Sequence, residues 1–299
     1  MSIASIAEQP AEQPAGRQSG NRLLSRLSRH RMFVAGAVLL GAMLVAALLA
    51  DVIAALPPDR MQFRLRFHPP GALAWLGTDN YGRDVCSRVL HGARLSLLIA
   101  TTVAAATAAA GTAIGLLAGY FRRIDGLLMR VMDALMAFPA VLLAIAVAAA
   151  LGPSIGSAII ALSIVYTPRT VRVVRASVLV IRELDYVQAA VVCGAGHVRI
   201  ICKHILPNSL TSLIVQTSFV FAYAILAEAI LSFLGVGPPP PIPTWGNMIA
   251  EGKDFMHEAP WIALFPGLAI LVTAMAANFI GDGLRDALDP RTPIEPARG

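Results

Sequence analysis

Six runs of about 20 or more mostly apolar residues, each bounded by charged or turn-forming segments, restrict this chain to a bundle of membrane-spanning helices. They fall near 33–56, 95–120, 131–151, 155–174, 210–234 and 261–280. Composition agrees: 57% of the 299 residues are hydrophobic and only 14% are charged, with a mean hydropathy of +0.68. Soluble domains carry roughly a quarter charged residues, so most of this chain belongs in lipid. The expected fold class is an all-α membrane protein with six transmembrane helices.

Residues 1–21 are polar, repeat Glu-Gln-Pro at 8–10 and 12–14, and read as disordered. The first apolar run is too long for a secretory signal and lacks a small-residue cleavage site. The expected layout is a cytoplasmic N-terminal tail at 1–32, a first span at 33–56 and an external segment at 57–94. A five-helix core at 95–281 and a cytoplasmic tail at 282–299 complete it. Charge sidedness supports this, since 17 of the 24 Lys and Arg fall in the tails and the loops assigned inside. Arg22, Arg26, Arg29 and Arg31 lead into the first span, and Arg122, Arg123 and Arg130 follow the second. Six of the seven remaining cations lie in 57–94, so the signal is good but not clean. The net charge of +6 follows membrane sidedness and does not indicate nucleic acid.

The loop at 176–207 is more than a tether. Gln188-Ala189-Ala190 suits a short helix that exposes little bulk, Gly194 interrupts it where a partner backbone can approach, and Pro207 sits at the first turn of the next helix. This spacing resembles the EAA loop of the permease subunits of bacterial ABC importers, with its Ala pair, Gly and Leu206-Pro207 in step. Gln188 stands where Glu is usual, and His204 where an aliphatic residue is usual. The resemblance implies a coupling helix that fits a groove on a separate ATP-hydrolysing subunit, using Tyr186, Gln188, Ala189, Ala190, Gly194, His204, Leu206 and Pro207.

Further blocks extend the likeness over about residues 69–290. They are Leu76-Gly77-Thr78-Asp79 with Gly82-Arg83-Asp84, Ser87-Arg88 and Gly92-Ala93-Arg94; Leu231-Ser232-Phe233-Leu234-Gly235 with Pro243-Thr244-Trp245-Gly246; and Gly281-Asp282-Gly283-Leu284-Arg285-Asp286 with Leu288-Asp289-Pro290-Arg291. In this order they resemble the second permease of dipeptide, oligopeptide and nickel importers. That likeness implies a type I ABC importer permease fold in a bacterial inner membrane, with both termini cytoplasmic. It implies as partners a homologous permease in a heterodimer, two ABC ATPase subunits and an extracytoplasmic substrate-binding protein. ATP and Mg would sit on the ATPase subunits, with no cofactor on this chain.

Several residues carry competing readings. Asp79, Arg83, Asp84 and Arg88 suit an ion-paired external cap, either a structural brace, which we favour, or a docking surface; exposed pairs contribute about 0–1 kcal/mol each. Glu228 is an acidic residue well inside a span, where carboxylates are costly, so it either faces the pathway and a cationic part of substrate or serves an interhelical donor. Gln216, with Thr211, Ser212, Thr217 and Ser218, gives the fifth span a polar tint that lines a pathway or back-bonds to its own helix. Asp133 reads as a brace with Arg130 or Arg169. Gly111, Gly115 and Gly119 repeat every fourth residue and suit close helix packing. His197 and His204 read as surface residues, and Cys86, Cys193 and Cys202 as small apolar fillers without metal spacing.

The chain has no GxxxxGK[ST], HExxH or GxSxG pattern, so it carries no phosphate-binding P-loop and no recognisable hydrolase site. The expected function is therefore a permease subunit of an ATP-driven importer of dipeptides or oligopeptides, forming half of the pathway. A nickel or other small-solute importer is the alternative within the family. An ion-driven carrier or a membrane enzyme is the alternative outside it, and neither finds its paired acids or clustered nucleophile here.

Overall fold

Backbone polar groups in lipid must be satisfied within the chain, and a helix does so segment by segment. The computed structural model describes residues 27–288 apart from Arg29 and Ala55, and no strand occurs among them beyond one isolated bridge between Thr78 and Asp84. The helices are α1 (Arg31–Leu48), α2 (Ala50–Ile53), α3 (Val85–Tyr120), α4 (Arg122–Met136), α5 (Ala140–Leu151) and α6 (Ile155–Ile181). They continue as α7 (Asp185–Val192), α8 (His197–Arg199), α9 (Leu206–Phe233), α10 (Trp245–Gly252) and α11 (Trp261–Leu288). Residues 1–26, with Arg22 and Arg26, Arg29 and the end of the 282–299 tail, with Asp289-Pro290-Arg291, lie outside the described residues.

Among the described residues, five helices are long and apolar enough to cross a bilayer: α1, α3, α6, α9 with the turns before it, and α11. The third expected span, 131–151, is not one straight helix. It breaks at residues 137–139, and α4 meets α5 at 90°. Pro139 has no N–H to continue α4 and disfavours helical backbone at Phe138. Composition separates the two pieces as well. α4 turns Ile124, Leu127 and Val131 outward in one stripe while Asp125 and Asp133 reach back to α6, whereas the 12 residues of α5 include no charge. Those residues rise only about 18 Å, short of a hydrocarbon core of roughly 30 Å. The bent pair counts as a sixth crossing only when α4 and α5 are taken together.

The other helices outrun their apolar runs. α3 begins at Val85, ten residues before the second apolar run, because Asp84 caps it by accepting from the Ser87 N–H at 2.8 Å. α6 continues to Ile181, which carries Arg175 past the apolar run, and α11 continues to Leu288.

The glycine stripe sets how the bundle closes. A Cβ on Gly111, Gly115 or Gly119 would stand 2.6, 2.7 or 2.6 Å from the Cβ of Thr170, Val174 or Val178 on α6. Only glycine permits that approach, so α3 and α6 lie nearly backbone to backbone where residues 111–119 meet residues 170–178. A second seam joins α1 to α11, where a Cβ on Gly36 would meet the Ala276 carbonyl at 2.6 Å. Replacing Gly115 by Leu forces Val174 and the Val171 carbonyl away, and such overpacking costs about 1–3 kcal/mol or more. The purified complex carrying Gly115→Leu should therefore melt several degrees lower in a thermal unfolding scan.

Candidate functional site

The loop between α6 and α9 is built as a platform. Val187 of α7 is buried with Ile200 and Ile205 against Val178 and Ile181, which seats the short helix across the end of the bundle. α7 ends in a Schellman arrangement: the Gly194 N–H donates to the Val191 carbonyl at 2.9 Å and the Ala195 N–H to the Ala190 carbonyl at 3.0 Å. Gly194 has φ +79°, a left-handed conformation that glycine adopts without strain. Among the described residues, apart from its chain neighbours, nothing lies within 4 Å of a Cβ built there, so Gly194 terminates a helix and accommodates no close backbone among them.

Of the expected loop residues, Tyr186 and His204 come together through Asn208, while Gln188 reaches back to α6. The Gln188 amide donates to the Arg182 carbonyl at 2.8 Å and satisfies the end of α6. Asn208, a residue the sequence reading did not assign to the site, donates to the Tyr186 hydroxyl at 3.1 Å and the His204 carbonyl at 2.6 Å. The Tyr186 and His204 rings lie 6.2 Å apart. Burial pushes the Tyr186 phenol above its ordinary pKa, partly offset by the Asn208 bond. Leu206 and Pro207 open α9 as expected, after a π-helical stretch over Ile200–Ile205 that accommodates the missing proline donor. Outside this framework Tyr186, Val191, Val192 and Val198 are exposed, Val192 at 87%, while Ala189 adds little bulk.

Charged side chains brace the same end. Arg175 forms two bonds of 2.6 Å to Asp125, and Arg182 donates to the Gly119 carbonyl at 2.7 Å. The partner of Asp133 is Arg172 at 2.6 Å, not Arg130 or Arg169, because the bend after α4 turns Asp133 toward α6 one helical turn further along.

At the opposite end the expected surface cap is a buried network. Asp79 accepts from Arg83 at 2.6 Å and Arg88 at 2.7 Å, and Glu251 of α10 accepts from the same two arginines at 2.5 and 2.6 Å. Asp79, Arg83 and Arg88 are 0%, 4% and 2% exposed, so the small worth of a surface pair does not apply. Glu251 lies 163 residues beyond Arg88, and no local spacing announces it. Asp84 stands apart from this network as the cap of α3; burial raises its carboxyl above the ordinary range, opposed by the Ser87 and Cys86 N–H groups. The indoles of Trp245 and Trp261 tie the same region together, donating to the Val89 and Thr78 carbonyls at 3.0 Å each.

Between these ends the two intramembrane candidates separate. Glu228 is fully buried and accepts from the Ser96 hydroxyl of α3 at 3.0 Å and the Ser232 hydroxyl at 2.7 Å. Its partners are hydroxyls, neither an arginine nor an open pathway. Gln216 instead lines a cleft of about 460 Å³ where α6 and α9 meet the end of α4, with Arg169, Arg172, Phe219, Tyr223 and Met136.

A bundle of this kind, with helices of membrane-spanning length, a broken third span, a braced loop platform and a cleft beside it, is that of a multi-pass membrane protein. The comparisons identify which. Residues 111–293 match the family described as binding-protein-dependent transport system inner membrane component. Residues 21–70 match the N-terminal transmembrane domain of oligopeptide transport permease C. The chain is 57% identical over 270 residues to a putative peptide transport system permease protein of Brucella abortus, covering 90% of this chain and 91% of that one. It is 40% identical over 283 residues to the dipeptide transport system permease protein DppC of Alkalihalophilus pseudofirmus, covering 94% and 93%. A probable D,D-dipeptide transport system permease protein of Escherichia coli is 41% identical over 276 residues, covering 92% and 93%. The chain belongs to the binding-protein-dependent inner membrane component family, and its fold is that family's type I ABC permease fold.

The buried network allows a graded prediction. Asp79→Asn leaves two buried guanidinium groups short of countercharge and should cost about 3–5 kcal/mol. Asp84→Ala removes only a helix cap and should cost about 1 kcal/mol. Melting temperatures of the two variant complexes, compared with the parent, should show the first falling several times further than the second.

Proposed function

We propose that this chain forms half of the translocation pathway of a peptide importer, paired with a homologous permease and driven by two ABC ATPase subunits. Dipeptides and oligopeptides are the favoured cargo, supported by the peptide and dipeptide permeases among the relatives together with the cleft lined by Arg169 and Gln216. The observation that carries the coupling assignment is the apolar face of α7 and α8, exposed on a platform that five separate hydrogen bonds hold in place. Leaving Val192 in water is unfavourable by roughly 25 cal/mol per Å² of apolar surface, and a docked ATPase groove would recover that cost. On this reading the loop lies in the cytoplasm with both termini, in keeping with the bias of arginines toward that side. The opposite end, with the Asp79 network, receives cargo from an extracytoplasmic binding protein. ATP and Mg belong to the ATPase subunits, and this chain performs no covalent chemistry.

ATP turnover by the full complex in lipid, with binding protein loaded or not loaded with a pool of short peptides, tests the reading. Peptide-loaded protein should stimulate turnover; no response to peptides would move the cargo to nickel or another small solute. Val192→Asp should abolish that stimulation while the permease remains in the membrane, because a charge cannot enter an apolar groove unpaired. Glu228→Gln, enclosed by hydroxyls and away from the cleft, should leave relative uptake of free and N-acetylated peptides unchanged within about twofold, since an amide accepts from one of the two serine hydroxyls and donates to the other.

A further inference from the structure

We propose that Arg169 is the residue of the pathway that holds the carboxylate of a peptide in transit, with Gln216 and Tyr223 completing the site. The proposal rests on the peptide-importer reading and deepens it. α6 runs from Ile155 to Ile181, so Arg169 is about 21 Å from one end of the helix and about 18 Å from the other. It lies inside the apolar run 155–174, five residues before that run ends, on the exposed side of the helix. An arginine within an apolar run pairs with a countercharge, serves a pathway or, near the end of the run, reaches the interface.

The surrounding charges decide between these. Among the described residues, Arg169 makes no hydrogen bond or ion pair; its guanidinium lies over the Tyr223 ring, 5.5 Å from the centroid. The other cation of the cleft, Arg172, is engaged by Asp133 at 2.6 Å. The buried carboxylate of α9, Glu228, is enclosed by Ser96 and Ser232. The cleft thus offers a planar fork of donors that, among the described residues, has no countercharge, flanked by an amide and set over an aromatic face. That fork matches a carboxylate with two parallel bonds. A volume of about 460 Å³ falls within the range of small-ligand pockets, roughly 300–1,000 Å³. Every peptide with a free C-terminus carries the required group whatever its side chains, so one arginine serves many cargoes.

The test uses the full complex in proteoliposomes, with binding protein loaded with a dipeptide or with its C-amidated counterpart. Comparing each variant with wild type on the same loaded protein cancels the binding protein's own preference. Arg169→Gln should lower uptake of the free-carboxylate peptide about tenfold or more and uptake of the amide by less than about twofold, with Arg169→Lys between. Equal loss for both peptides would place Arg169 in the packing against the second permease and overturn the proposal, as would no loss for either. Should wild type import only the free acid, Arg169→Cys decides, with Cys86, Cys193 and Cys202 replaced by Ser. Attaching an aminoethyl group through a disulfide should restore uptake, and attaching a neutral methylthio group should not. Restoration by both or by neither overturns the assignment. A wild-type complex that imports neither peptide and shows no peptide-stimulated ATP turnover overturns the importer reading and this proposal with it. That result is distinct from failure of Arg169 alone.

Discussion

The near backbone-to-backbone contact of α3 with α6 is the constraint on which the rest of the bundle depends. Apolar burial alone cannot hold spanning helices together, because lipid tails are as apolar as leucine side chains; close van der Waals contact must do it. The glycines at 111, 115 and 119 provide that contact, and Thr170, Val174 and Val178 fill the groove. The seam ends where the loop platform begins. At its last glycine the Gly119 carbonyl accepts from Arg182, and Arg182 in turn offers its own carbonyl to Gln188 of α7. A bond chain of three residues thus connects the packing of the bundle to the orientation of the short helix.

Much of this was legible from local pattern. Apolar run length located the spans, the every-fourth-residue glycines announced a close seam, and Gly194 followed by Leu206-Pro207 marked the ends of two helices. What failed did so for physical reasons. Pro139 sits within an apolar run, and hydropathy does not register that it breaks the helix and turns it by 90°. Apolar runs also underestimate helix length, since a helix that leaves the membrane can continue on a cap such as Asp84 or on ion pairs such as Arg175 with Asp125. The external charges looked like a surface pattern because their spacing is local, while Glu251 and the indole donors that bury them come from more than 150 residues away.

Charges inside the bundle are handled in three ways. Asp79, Arg83, Arg88 and Glu251 neutralise one another at one end, where burial makes removal of any one costly. Glu228 is satisfied by two hydroxyls, a neutral solution that ties α9 to α3 without an opposing charge. Arg169 receives neither treatment: it lines the open cleft and, among the described residues, meets only the aromatic face of Tyr223. Two of these arrangements are thus closed within the bundle, and the third is left open to the cleft.

One helix links that open site to the proposed coupling surface. α6 carries Arg169 at its middle, Arg172 and Arg175 one and two turns further on, and ends three residues before α7 begins. Arg172 and Arg175 clamp α4 to α6 through Asp133 and Asp125, so a displacement of α6 takes with it the end of α4 that walls the cleft at Met136. The glycine seam opposes bending of α6 against α3 but leaves rigid tilting of the pair open. A load applied at α7 would therefore reach the wall of the cleft through α6 and the end of α4 clamped to it. α9 is not free of that unit, since Glu228 accepts from Ser96 of α3 and the Ser177 hydroxyl of α6 donates to Ser212. The platform, the clamps and the cleft thus share one helix within a bundle whose members are bonded to one another.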